Sequence, residues 1–187
     1  MKFRLSVVLV LILLVVSCRT QQKGISQEQD DLYEIIEKVK YGEDGLYYKT
    51  LSYEELPINR KFSYEQINQN NVRYNSITEE GRFVNFDTIF NEEQRKEIDN
   101  NLKNLKSVKL RRSEMSNPKV LSKKRSPYGT PREELVGYSS ISFPFVVEGE
   151  NGDRYGFMYR DSGLLYIYKK ENDLWNEFAR LEIHLVN

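Results

Sequence analysis

The last fifty residues constrain the fold most. Three turn signals, Asn151-Gly152, Asp161-Ser162-Gly163 and Glu171-Asn172-Asp173, cut this stretch into segments rich in aromatic and aliphatic side chains. Asn-Gly between apolar segments is a strong short-range hairpin signal, and here it predicts a two-residue turn. The expected strands run over about 138–149, 153–160, 164–170 and 174–186 and form an antiparallel meander. In the last one Trp175, Ala179, Leu181, Ile183 and Leu185 share one parity, and Asn176, Arg180, Glu182 and His184 the other. With a side-chain period of two, that alternation predicts one apolar and one polar face.

Upstream the period changes to that of helices. Ser26 with Gln29 forms a capping box, and Leu32, Ile35, Ile36 and Val39 mark one helical face. Gly42 stands where a C-terminal cap is wanted, so an amphipathic helix is expected over 27–41. Glu28, Asp30 and Asp31 in its first turn complement the helix dipole. A second helix is expected after Asn91, with Glu92, Glu93 and Gln94 in its first turn and Ile98, Leu102 and Leu105 on one face. Between them, Leu46-Tyr47-Tyr48 and Leu51 suggest a strand that ends by Pro57, and Ser63 with Gln66 caps a short helix through Ile67. Asn68 to Asn71 reads as a turn, and Val72 to Ile77 as extended chain. Residues 113–132 lack periodicity and are punctuated by Pro118, Pro127, Gly129 and Pro131, which predicts a long loop. Two amphipathic helices and a C-terminal antiparallel meander make an α+β chain, with one domain over 27–187.

The N-terminus bears on location. Lys2 and Arg4 precede ten apolar residues, Val7 to Val16, and the small Ser17 precedes Cys18. This is the layout of a secretory signal peptide over 1–17, and its apolar run is about half the ~20 residues that a membrane-spanning helix needs. Val15-Val16-Ser17-Cys18 also resembles the lipobox of bacterial lipoproteins. That resemblance implies removal of the signal, diacylglycerol on the Cys18 thiol and an acyl chain such as palmitate on the new amine. Residues 18–26 then become a lipidated tether, whose polar residues 19–26 span at most ~25–30 Å at ~3.3–3.6 Å per residue. Position two of the processed chain is Arg19 rather than the Asp that resembles an inner-membrane retention signal, which implies the outer membrane, facing the periplasm or the cell surface. The alternatives are an uncleaved short membrane helix with an incidental cysteine, or an ordinary secretory signal that leaves a free thiol. The C-terminal strand pair with Lys-Glu-Asn-Asp-Leu-Trp at its turn looks like the ending of many small lipoproteins of unassigned function. More loosely, it resembles the last hairpin of cone-shaped nuclear-transport-factor-2-like domains.

Composition narrows the chemistry. The 187 residues contain one Cys and one His, too few for a Cys/His zinc site, an iron–sulfur site or a disulfide framework. No Gly-rich phosphate loop, nucleophile elbow or metalloprotease helix is present, so no cofactor is expected. The formal charge is zero, from 28 basic and 28 acidic side chains, and processing leaves 26 against 28. That sum conceals two blocks. Residues 27–56 carry nine acidic and three basic side chains, net −6, whereas residues 103–132 carry ten basic and one acidic, net +9. Lys119, Lys123, Lys124 and Arg125 in the basic block are a candidate anion site for lipid headgroups, acidic glycans or an acidic protein. Nucleic acid is not expected as a partner of an exported chain. Internal pairing of the two blocks would account for the same pattern.

Candidates for catalysis have simpler explanations. His184 lies on the polar parity of the last strand, next to Glu182 and Arg180. Glu54-Glu55, Glu79-Glu80, Glu92-Glu93 and Glu133-Glu134 are sequence neighbours, which diverge in strands and helices and make poor cleft partners. Glu148, Glu150, Asn151 and Asp153 offer oxygens for Ca²⁺ but lack the spacing of a recognised loop. Tyr155, Tyr159, Tyr166 and Tyr168 would stack on sugars or peptides if they lined an open face, and otherwise serve the core. The sequence therefore points to a lipid-anchored envelope protein that binds rather than catalyses. Its alternatives are an envelope hydrolase with dispersed carboxylates, or an inhibitor or immunity-type protein that meets its partner through the basic loop.

Overall fold

The computed structural model describes residues 29–38, 45–56, 58, 61–68, 74–77, 81–115, 138–160 and 164–183. Its centre is a five-stranded antiparallel sheet in the order β2-β7-β6-β5-β4, with a separate two-stranded parallel ribbon of β1 and β3. The strands are β1 (Gly45–Leu46), β2 (Tyr74–Ile77), β3 (Tyr138–Ser139), β4 (Phe145–Glu148), β5 (Arg154–Arg160), β6 (Leu164–Glu171) and β7 (Leu174–Ile183). The helices are α1 over 29–37, α2 (Tyr64–Ile67) and α3 (Glu92–Lys103). The chain is α+β, with the meander in its C-terminal part.

Capping residues define two helix starts. Asn91 accepts from the Gln94 N–H at 3.0 Å while the Gln94 side chain accepts from the Asn91 N–H at 2.9 Å. Ser63 and Gln66 make the corresponding box for α2, the Ser63 N–H donating to Gln66 Oε1 at 2.8 Å. These contacts satisfy backbone donors that have no partner inside the helix. Ile98 and Leu102 of α3 are fully buried, and Leu105 packs beside them.

Two turns differ instructively. Asn172 and Asp173 both have positive φ (49° and 62°), and the loop closes Glu171 onto Leu174. A two-residue turn needs that conformation twice, and Asn and Asp tolerate it. The Asn151-Gly152 connection is instead a three-residue loop, 150–152. The Gly149 N–H donates to Asp153 O at 2.7 Å, and Gly152 alone takes positive φ at 82°. Asn151 Oδ1 accepts from the Asp153 N–H at 3.1 Å, which fixes the asymmetric turn.

The expected strand 138–149 is divided. Tyr138–Ser139 pairs in parallel with Gly45–Leu46, Ile141 bridges Arg160, and only 145–148 joins the meander. Pro144 between the two pieces has no N–H to give the ladder. Ser142 fills the gap with its side chain, Oγ accepting from the Tyr159 N–H at 2.9 Å.

Both faces of the sheet are covered. On one, Val147, Tyr155, Phe157, Tyr159, Leu165, Ile167, Ala179 and Leu181 pack against Phe62, Phe86, Phe90, Ile98 and Leu102. On the other, Met158, Tyr168 and Trp175 pack against Tyr33, Ile35 and Ile36 of α1 and against Leu46, Leu110, Met115 and Ile141. The single parity expected for β7 therefore fails. A bulge lets Ile167 face Ala179 while Tyr168 faces Glu177, so one β7 residue is extra and the parity inverts across it. Trp175 consequently faces α1 while Ala179 and Leu181 face α3.

Tyr159 shows how the first core is specified. It is fully buried, stacks on Phe62 at 5.8 Å and accepts from the Phe62 N–H at 3.0 Å. Burial pushes its hydroxyl pKa up, so it stays protonated. Tyr159→Phe leaves that buried N–H without an acceptor, and a urea titration is expected to show a loss of about 1–2 kcal/mol with unchanged m. A loss within error of zero would assign the hydroxyl no share in stability.

Candidate functional site

The most concentrated polar site among the described residues lies where α1 meets the sheet. Helical spacing puts Asp31 one turn before Ile35 on the same face. Asp31 is only 4 % exposed, and Tyr33, Ile35 and Ile36 are buried with it. Leu32, expected on the buried stripe, is only partly buried. Asp31, expected to serve the helix dipole, instead points into the sheet. Arg154 of β5 and Lys170 of β6 share the parity of Gly156 and Tyr168, which places both cations on the α1 face. Arg154 Nη1 reaches Asp31 Oδ2 at 2.5 Å and Lys170 Nζ reaches Oδ1 at 2.5 Å. Trp175 Nε1 adds a long contact to Oδ1 at 3.4 Å, and the Trp175 N–H donates to Glu34 Oε1 at 3.4 Å. Both cations also lie 5.8 Å from the Trp175 ring centre.

The electrostatics follow from this packing. Burial alone raises the Asp31 carboxyl, but hydrogen bonds from Lys170 and Arg154, with their charges, hold it below its ordinary value. The carboxylate is therefore ionised and its oxygens engaged. It has no proton to donate near neutral pH and little basicity to accept one, so it is a poor general acid and a poor general base. Its arrangement suits a latch that fixes α1 to the strands.

A second cluster braces the other face. Tyr64 Oη donates to Asp87 Oδ1 at 3.1 Å, and Arg95 Nη1 reaches the same oxygen at 3.1 Å. Arg95 also donates to the carbonyls of Phe90 (2.8 Å) and Asp87 (3.1 Å). The Tyr64 N–H donates to Asp99 Oδ1 at 2.6 Å, tying α2 to α3. Burial first, and then Asp87, push the Tyr64 hydroxyl up, so it remains a donor.

The sequence-derived candidates fare unequally. Tyr155 and Tyr159 face α3, whereas Tyr166 and Tyr168 face α1. Tyr155, Tyr159 and Tyr168 are buried at 2 %, 0 % and 3 % exposure, so the four do not form an open stacking face and belong to the packed layers. Glu55 Oε2 accepts from the Ser52 N–H, and Glu92 pairs with Lys96 at 2.6 Å, so both serve local caps and helix pairs. Asp153 Oδ2 is engaged by Lys169 at 2.9 Å and by Asn151 Nδ2 at 2.7 Å, which ties two of the four candidate calcium residues to each other and to Lys169. Among the described residues no three His, Cys, Asp or Glu side chains converge as metal ligands. Cys18, His184, Lys119, Lys123, Lys124 and Arg125 lie outside the described residues. No helix among those described is long and apolar enough to cross a membrane.

Arg154, Lys170 and Trp175 escaped the sequence reading as a site. Their signal was parity: alternation along β5 and β6 puts both basic residues on the side of Gly156, where a missing side chain admits a neighbour. No protein-family profile, curated protein or solved structure matches the chain.

Proposed function

We propose that this protein is a lipid-anchored component of the cell envelope whose folded domain binds a partner rather than transforming a substrate. The observation that carries this reading is Val15-Val16-Ser17-Cys18 behind Lys2, Arg4 and ten apolar residues. Acylation at Cys18 with more than one chain gives stable retention, since each buried CH₂ contributes about 0.8 kcal/mol. Arg19 at the second position of the processed chain favours the outer membrane. Two clustered carboxylates of the domain serve its packing, which accords with a binding role. Asp31 is held ionised between two cations, and Asp87 Oδ1 is engaged by both Tyr64 and Arg95. The latch at Asp31 also fastens α1, the first described element after the tether, to the sheet, so the domain body follows its anchor.

The test is Cys18→Ser in cells fed labelled palmitate. The expected outcome is loss of the label together with accumulation of unprocessed chain. Label and membrane retention equal to those of the parent would sink the anchor.

A further inference from the structure

Residues 106–112 carry Lys106, Lys109, Arg111 and Arg112 and no acidic side chain. All four are exposed, and none has an ion-pair partner among the described residues. The segment is held in place by its backbone. The Thr50 N–H donates to Val108 O at 2.9 Å, and the Leu110 N–H donates to Tyr48 O at 3.0 Å. The buried Thr50 hydroxyl accepts from the Val108 N–H at 2.8 Å, and Ser107 Oγ donates to Thr50 O at 2.7 Å. Alternation then turns Leu110 into the core, where it is 4 % exposed, and Lys109 and Arg111 outward. Lys49 stands directly opposite Lys109 and has contacts of its own. The fold thus fixes four cations on a short ribbon, and no carboxylate among the described residues pairs with them. Glu114 is the sole acidic residue in the whole stretch 103–132.

The position of this ribbon suggests its partner. The Arg111 N–H donates to Tyr33 Oη at 3.1 Å, so the ribbon abuts α1. Ten residues separate Cys18 from the start of α1 at 29, a reach of at most ~35 Å at ~3.3–3.6 Å per residue. A chain lipidated at Cys18 therefore keeps these cations within one tether length of headgroup phosphates, where local concentration is high. We propose that Lys106, Lys109, Arg111 and Arg112 form a surface that docks on anionic lipid headgroups and sets the orientation of the domain on its membrane. This rests on the anchor reading for proximity, and on the ribbon's own charge for affinity.

The test uses the full chain with Cys18→Ser, so that no acyl chain contributes. It is sedimented with vesicles of phosphatidylcholine alone, and with vesicles containing phosphatidylglycerol. Any pull from the leader is common to parent and variant. Each basic side chain near an anionic surface is worth about fivefold in partitioning, so loss of two costs about twenty-five-fold and reversal adds repulsion; the double variant K109E/R111E is expected to bind anionic vesicles more than about twenty-five-fold less tightly. Its partitioning to phosphatidylcholine should not change, and salt should erase the parent's preference. If the reversal lowers the melting temperature, K109Q/R111Q replaces it with the same direction expected. Equal binding of folded parent and variant to anionic vesicles overturns the proposal. So does capture of the parent by polyglutamate or soluble polyphosphate without capture by the vesicles, which would assign the ribbon to an acidic protein or a free anion. Palmitate labelling separates the two readings. A labelled chain indifferent to K109E/R111E keeps the anchor and loses the docking surface; an unlabelled chain whose vesicle binding falls in the variant does the reverse.

Discussion

Asp31→Asn is expected to cost about 3 kcal/mol of folding stability. Removing one partner of a buried ion pair leaves the other charge without compensation, at about 3–5 kcal/mol, and the lower end applies because the Arg154 side chain is 33 % exposed and can recover some hydration. Lys170, at 15 %, has less recourse to water. Urea unfolding measures the loss directly. The control is Asp30→Asn, an exposed neighbour on the same turn, which should stay within about 0.5 kcal/mol of the parent. Equal midpoints for the two variants would mean that the latch contributes nothing beyond a surface pair.

The same site fixes a pH dependence. The Asp31 carboxyl is depressed in the folded chain relative to about 3.9 in the unfolded one. A depressed carboxyl stabilises fully above its unfolded value, and that contribution is lost as pH falls through the folded value. The stability gap between parent and Asp31→Asn is therefore expected to stay constant from neutral pH down to about 5, and to close only below about pH 4. A gap that closed between pH 6 and 7 would assign the effect to some other group.

What could be foreseen from sequence and what could not divides along the range of the forces involved. Asn91 with Gln94 and Ser63 with Gln66 act within one helical turn, and both helices start where the sequence puts them. The Asn172-Asp173 turn is equally local, because two positive φ angles and the closure of the hairpin are set by adjacent residues. The failures involve partners far along the chain. Asp31 obeys the dipole rule for a first helical turn, and only the placement of Arg154 and Lys170, 123 and 139 residues away, turns it inward. The parity of β7 was correct on each side of its bulge, but one extra residue near Phe178 moved Trp175 to the opposite face from Leu181. The tyrosines were ambiguous for a related reason. Their alternation was visible, but that both faces of the sheet are covered was not, since α1 precedes β5 by more than a hundred residues. The basic block was plain in composition, but the pinning of residues 106–110 beside Thr50 was not, because the bonded residues lie 57 and 58 positions apart.

Gly156→Ala is the sharper test of how α1 is seated, because ordinary chain statistics predict the opposite sign. Replacing Gly by Ala in a compatible backbone stabilises by about 0.4–1 kcal/mol through the unfolded state, and Gly156 does not occupy the positive-φ region. Here a Cβ would lie 2.4 Å from Ile35 Cδ1, with Ile35 Cγ1 and Trp175 Cζ3 at 3.4 Å. Ile35 is fully buried, and Asp31 one turn before it is held by both Arg154 and Lys170, so α1 has little freedom to lift away. Overpacking of this kind costs about 1–3 kcal/mol, and a loss of about 2–3 kcal/mol is expected in urea. The cause can be isolated by Ile35→Val, which removes the offending Cδ1 and alone costs about 1 kcal/mol. If the clash is real, the double variant loses less than the two single losses added together, by about 1–2 kcal/mol. Additivity would place the damage elsewhere. A stabilised Gly156→Ala would mean that Ile35 does not sit over residue 156 in solution, and since Asp31 shares that helix face, the latch could not then form as described.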